Sequence, residues 1–94
     1  MTTSMENALL MLDSICWRPD EQLLNAITPG RFGAELYGTA KRNRAATASR
    51  ILRALYLRGL CTTEWGGGVC RWGISSSGHE AAAELRAERH GAPA

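Results

Sequence analysis

Aromatic residues are scarce in this 94-residue sequence, where they make up 6% and include a single phenylalanine. Alanine and leucine are abundant instead, and this composition favours helices over a sandwich of β-sheets. The length fits one domain with a modest core, which leaves little room for a deep, enclosed active site. We therefore expect a single, mainly helical domain over 1–94, with frayed ends at 1–3 and 90–94.

The sequence also lacks a long apolar run and a paired-cysteine motif. No segment approaches the roughly 18 to 20 apolar residues that span a bilayer, and the N-terminus has no basic cluster typical of a signal peptide. Cys16, Cys61 and Cys70 form no CxxC pair, so we expect reduced, partly buried thiols. These absences predict a cytoplasmic protein with no membrane partner, no metal site and no cofactor.

Residues arranged for catalysis are missing as well. The glycines at 66–68 lack the lysine and serine of a phosphate-binding loop, and the serines at 75–77 lack a GxSxG context. His79 and His90 have no acidic or cysteine neighbours at metal-ligand spacing, which predicts ordinary histidines on a helix surface. We expect no enzymatic activity.

Positive charge is concentrated in the middle third of the chain. Residues 31–58 contain six arginines and one lysine but only one acidic residue, Glu35, while the net charge of the whole chain is +2. The segments 1–30 and 59–94 are both net negative. Solubility alone does not require this distribution, whereas a surface that faces phosphates favours it.

Helical and strand periodicities predict several short elements. The predicted elements are helices over 4–16, 20–27, 32–40, 45–58 and 78–89, and a hairpin with strands over 60–65 and 69–74. Capping-box patterns at Thr3–Glu6 and Ser77–Glu80 predict the starts of the first and last helices. If Trp65 pairs with Val69 across the three glycines, Arg71 lies opposite Thr63. We expect the three tryptophans to pack in the core or on the hairpin rather than to serve as platforms on which bases stack.

The helix over 45–58 is predicted to have two different sides. Its apolar side carries Ala48, Ile51, Leu52 and Leu55, and its opposite side carries Ala46, Arg50, Arg53 and Leu57. Gly59 follows directly and suits a helix end. This helix is expected to pack on the core and to present its arginines outward.

The segment 49–55 with the following Arg58-Gly59-Leu60 resembles the recognition helix and its exit in MarR-like and PadR-like regulators. Trp65, the glycine loop, Arg71 and the segment 74–78 resemble their wing and the start of the next helix, with Ser77 in place of the usual threonine. The resemblance covers about half of the chain and implies a winged helix-turn-helix, mainly α with a small β-hairpin. The glycine-rich stretch 28–44 leaves open whether 20–27 or 32–40 is the second helix of the motif.

The resemblance implies a transcriptional regulator that reads double-stranded DNA with the helix over 45–58 and with the hairpin over 60–74 as its wing. The residues expected to contact DNA are Arg42, Arg44, Thr47, Ser49, Arg50, Arg53 and Arg71. Arg50 and Arg53 are the candidates for guanine edges or phosphates, and Arg71 is the candidate for the minor groove. Any single arginine on a surface is more often simply solvated, so the expectation rests on the cluster.

A second interpretation is a winged-helix module that binds another protein, such as an adaptor or inhibitor of a host protein from a phage or mobile element. The modest pI of 8.6 favours it. The outward position of Leu57 fits either a contact with a thymine methyl group or a contact with a protein. A homodimer is compatible with either interpretation, with the first and last helices as candidate contact surfaces.

Overall fold

The computed structural model describes residues 1–17, 26–38 and 44–90. Its elements in chain order are α1 (Thr3–Cys16), α2 (Pro29–Tyr37), α3 (Arg44–Leu57), β1 (Cys61–Gly66), β2 (Val69–Ile74) and α4 (Ser76–Arg89). This order confirms the predicted first, central and last helices and the hairpin. Most of the helix expected over 20–27, the turn with Arg42, and the tail beyond His90 lie outside the described residues.

Both predicted capping boxes were misplaced. Thr2 caps α1 by accepting a hydrogen bond from the Met5 amide at 3.2 Å. Ser75 caps α4 in the same way through the Gly78 amide at 3.0 Å. Each helix begins earlier than the patterns suggested, because an upstream hydroxyl with extended backbone already satisfies the first free amide groups.

Residues 28–30 begin a helix, whereas the sequence pattern predicted that they follow the end of a helix over 20–27. Thr28 is the N-cap of α2 and Pro29 is its first residue, where a missing amide hydrogen has no cost. The helix therefore spans Pro29–Tyr37 and not 32–40. Because α2 directly precedes α3 and packs on it, it is the second helix of the helix-turn-helix among the described elements.

Gly33 allows α2 and α3 to approach each other closely. A Cβ atom at this position would lie 2.6 Å from the carbonyl oxygen of Arg44. Gly33 is therefore needed for packing, since any larger residue would push the two helices apart.

The hairpin has a register shifted by one residue from the predicted one. Gly66 is part of β1 and pairs with Val69, and Gly67 and Gly68 alone form the turn, with φ of 58° and 76°. Two consecutive positive φ values are typical of a two-residue hairpin turn that matches the strand twist. As a result Arg71 lies opposite Glu64, and not opposite Thr63 as the expected register had it.

The hairpin is joined to the helices at its base. Ile27, in the segment before α2, exchanges two backbone hydrogen bonds of 2.8 Å with Trp72 of β2. Gly59, with φ of 74°, makes the turn between α3 and β1 that the sequence predicted. The orientation of the hairpin relative to α3 is therefore fixed from both sides.

The hydrophobic core lies where the four helices and the base of the hairpin meet. Its fully buried large side chains are Phe32, Leu9, Leu12, Leu52 and Leu55. Cys16 and Cys61 are buried thiols in the same cluster, and Cys70 is a half-buried thiol on β2. Within the described residues, no helix has the length and apolarity needed to cross a membrane.

A buried carboxylate of α1 forms hydrogen bonds with two side chains of α4. Asp13, whose side chain is 3% exposed, accepts a hydrogen bond from Arg86 Nη1 at 2.5 Å and is bonded to His79 Nδ1 at 2.7 Å. The His79 ring also stacks on Trp17 with 3.8 Å between ring centroids. The expectation of a plain surface histidine was wrong for His79, because its acidic partner is 66 positions away in the sequence.

Candidate nucleic-acid interface

The outward side of α3 is the centre of the candidate site. Ala48, Leu52 and Leu55 are buried and Ile51 is half-buried, whereas the opposite side is exposed along Ala46, Arg50, Arg53 and Leu57. All eight positions thus lie as the 3.6-residue period predicted, because the four residues of the apolar side can only be buried together on one side.

Arg50 and Arg53 are free of ion pairs in the part of the chain that the structure describes. The ion pairs found there join α1 to α4, namely Asp13 with His79 and Arg86, and Glu6 with Arg89. No acidic residue occurs within α3. The two guanidinium groups are therefore available to an external anion without first breaking an internal contact.

The N-terminal part of α3 carries the other predicted contact residues of this helix. Arg44 donates from Nη1 to the carbonyl oxygen of Gly38 at 3.3 Å, so that it links α3 to the end of α2. Thr47 and Ser49 are half-buried. Arg44 thus has a structural role that its position in a basic run did not indicate, and Arg42 lies outside the described residues.

A cleft of about 350 Å³ separates α3 from the hairpin. It is lined by Ser49, Arg53, Tyr56, Leu57, Thr63 and Trp72. Tyr56 and Trp72 form one wall through an edge-to-face contact, with 6.0 Å between centroids and 80° between planes. The cleft brings one guanidinium group and several hydroxyl groups next to an aromatic surface.

The hairpin beyond the cleft carries charges of both signs. Arg71 is exposed, as a wing residue has to be, but its cross-strand neighbour is Glu64. Facing residues on paired strands are close enough to interact, although these two form no direct ion pair. The carboxylate reduces the positive potential that Arg71 offers to an anion.

Sequence reasoning missed how much apolar surface this side of the molecule exposes. Of the five large hydrophobic residues exposed in the described part, Tyr56, Leu57, Trp65 and Val69 belong to α3 or the hairpin. Trp65 is 74% exposed, so the expectation that every tryptophan packs was wrong for it. A signal was available for Leu57, which falls on the arginine side of the helix.

The comparisons with known proteins address the fold. No family model matches the sequence, and no curated protein matches it significantly. Among solved structures, a point mutant of ZitR from Lactococcus lactis, a winged-helix regulator, is similar with a TM-score of 0.66. The match covers 96% of this chain at 14% identity, and this chain spans 53% of the length of the ZitR chain. The four helices and antiparallel hairpin thus form a winged helix.

Proposed function

We propose that this winged-helix domain binds duplex DNA through α3 and the hairpin and acts as a transcriptional regulator. The observation that carries the proposal is the exposed line of α3 on which Arg50 and Arg53 lie free of internal ion pairs. A helix fits the width of the major groove, and arginine is the side chain that pairs best with guanine edges. The regulator class of ZitR supports the proposal at the level of the fold.

Each predicted contact residue has a role in this proposal. Arg50 and Arg53 contact base edges or adjacent phosphates in the major groove. Thr47 and Ser49, in the first half of α3, hold the DNA backbone by their hydroxyl groups. On the wing, Arg71 reaches the neighbouring minor groove.

The basic run Lys41-Arg42-Asn43-Arg44 supplies the remaining residues of the proposal. In this proposal Arg44, at the start of α3, contacts a phosphate, and so does Arg42 of the same basic run in the sequence. Because Arg44 already donates to the Gly38 carbonyl, we expect its removal to weaken DNA binding partly by loosening the connection between α2 and α3. Its replacement is therefore a poorer test of DNA contact than replacement of Arg50 or Arg53.

The test is fluorescence anisotropy with a labelled random-sequence duplex of about 20 base pairs, titrated at several salt concentrations. The logarithm of the binding constant is expected to fall linearly with the logarithm of salt, and each lost phosphate contact reduces the slope by about 0.9. Arg50→Ala and Arg53→Ala are each expected to weaken binding at least about fivefold, since one good arginine contact is worth about 1–3 kcal/mol.

Arg89→Ala is the matched control, because it removes the same charge from α4, which packs on α1. Arg89 is engaged with Glu6 at 3.4 Å and with Asn7 at 2.9 Å. We expect only a small loss of affinity from this variant. If Arg50→Ala and Arg53→Ala bind no more weakly than Arg89→Ala, the assignment of α3 as the recognition helix is rejected.

One observation favours a second function, that of a protein-interaction module. Trp65 and Val69 expose apolar surface close to the hairpin turn, and exposed aromatic residues are enriched at protein interfaces. A protein that shows no salt-sensitive DNA binding at low salt, but retains a stable partner protein in a pull-down and loses this partner with Trp65→Ala, has this function instead.

A further inference from the structure

Leu57 lies in line with the two free arginines of α3. It is 75% exposed, more than any other large apolar side chain in the described residues. Arg50, Arg53 and Leu57 follow one another at spacings of three and four, which places them along one line of the helix surface. A single exposed leucine is ordinary in a surface, but this one continues the row of side chains proposed to meet DNA.

We propose that Leu57 reads the methyl group of a thymine in the major groove, an inference that rests on the proposed function. Arg50 and Leu57 are seven positions apart, which corresponds to about 10.5 Å along the helix axis at 1.5 Å per residue. Consecutive bases of a strand are about 3.4 Å apart. When α3 lies along the groove, Leu57 is therefore about three base pairs from the base that Arg50 contacts.

The chemistry of the surface selects this occupant. Residues 44–57 include three arginines and no acidic residue, so an anionic partner complements them best. The edges of the bases in the major groove offer one apolar group, the thymine C5-methyl, and apolar side chains contact it. Duplex DNA thus supplies the negative charge for Arg50 and Arg53 and the apolar contact for Leu57 at the required spacing.

The experiment removes the methyl group alone. A duplex site is selected from a random pool with the wild-type protein, and each thymine of the site is replaced in turn by deoxyuridine, which lacks only the C5-methyl. We expect one position, about three base pairs from a guanine, where this replacement weakens wild-type binding about fourfold, as expected for one buried methyl group. Leu57→Ala is expected to bind the thymine and deoxyuridine duplexes equally well.

Two further variants control for folding and for the other exposed apolar residues. Leu57→Met keeps an apolar side chain of similar volume and is expected to keep the preference for thymine. Trp65→Ala removes a larger exposed apolar side chain from the hairpin and is expected to leave the preference unchanged. Because the side chains of Leu57 and Trp65 are both largely exposed, Leu57→Ala, Leu57→Met and Trp65→Ala are all expected to show the circular dichroism spectrum of the wild type.

The results separate this inference from the function on which it rests. Wild-type protein that binds every deoxyuridine duplex as tightly as the thymine duplex overturns the role of Leu57 and leaves DNA binding intact. A thymine preference that survives Leu57→Ala, or that Trp65→Ala abolishes, also overturns it. Absence of salt-sensitive binding to any duplex overturns both proposals.

Discussion

Replacement of Asp13 by alanine tests how the buried carboxylate fastens α4 to α1. The variant loses two hydrogen bonds, from Arg86 at 2.5 Å and from His79 at 2.7 Å. Loss of a buried ion pair costs about 3–5 kcal/mol when the remaining charge stays buried. Here the two partners are 38% and 33% exposed, so water can solvate them after the change. We therefore expect a loss of about 2–4 kcal/mol in the free energy of unfolding.

The measurement is urea unfolding followed by circular dichroism, together with a thermal scan. A loss of this size lowers the melting temperature of a domain of this length by roughly 10 to 30 °C. A double-mutant cycle with Arg86→Ala is expected to give a coupling energy of about 1–2 kcal/mol, because the two side chains are in direct contact. Glu6→Ala is the control, since the exposed pair of Glu6 with Arg89 contributes less than about 1 kcal/mol.

Two outcomes would refute this reasoning. If Asp13→Ala costs no more than Glu6→Ala, the carboxylate does not hold the two helices together. If the costs of Asp13→Ala and Arg86→Ala are simply additive, the two side chains act independently and their contact contributes nothing specific.

Three other predictions concern single residues. Gly78→Ala is expected to destabilise the domain by about 2–3 kcal/mol in urea unfolding, because its Cβ would overlap the backbone carbonyl oxygen of Leu60; an unchanged midpoint would contradict this packing. Glu64→Gln is expected to tighten DNA binding about two- to fivefold at low salt by unmasking Arg71, and equal affinity would show that this part of the wing does not face DNA. Burial and the nearby Cys16 thiol raise the pKa of Cys61 to about 12, so this thiol is expected to stay protonated and to resist Ellman's reagent at pH 8. Rapid labelling of all three thiols in the native protein would contradict this protection of Cys61. The same pKa shift predicts that the contribution of Cys61 to the free energy of unfolding is fully present below about pH 9 and is lost as the pH rises toward 12.

Local patterns in the sequence were sufficient for the elements that depend on neighbouring residues. The apolar positions of α3 recur with the helical period, and Arg50 and Arg53 are exposed because they occupy the remaining side. Gly59 marks the end of that helix, since its positive φ is strained for other residues. The same locality explains the small errors at helix starts, where several hydroxyl groups compete for one capping position.

Long-range packing decided the rest, because it depends on residues that are far apart in the chain. The buried bonding of Asp13 to His79 and Arg86 spans more than 60 positions, and no local spacing indicates it. Likewise, the two-residue turn sets the register that places Glu64 beside Arg71, and a shift of one residue exchanges all cross-strand neighbours. The sequence by itself determined which residues form the arginine face of α3, whereas the tertiary structure determined what surrounds that face, because only packing brings the hairpin and the exposed aromatic side chains next to it.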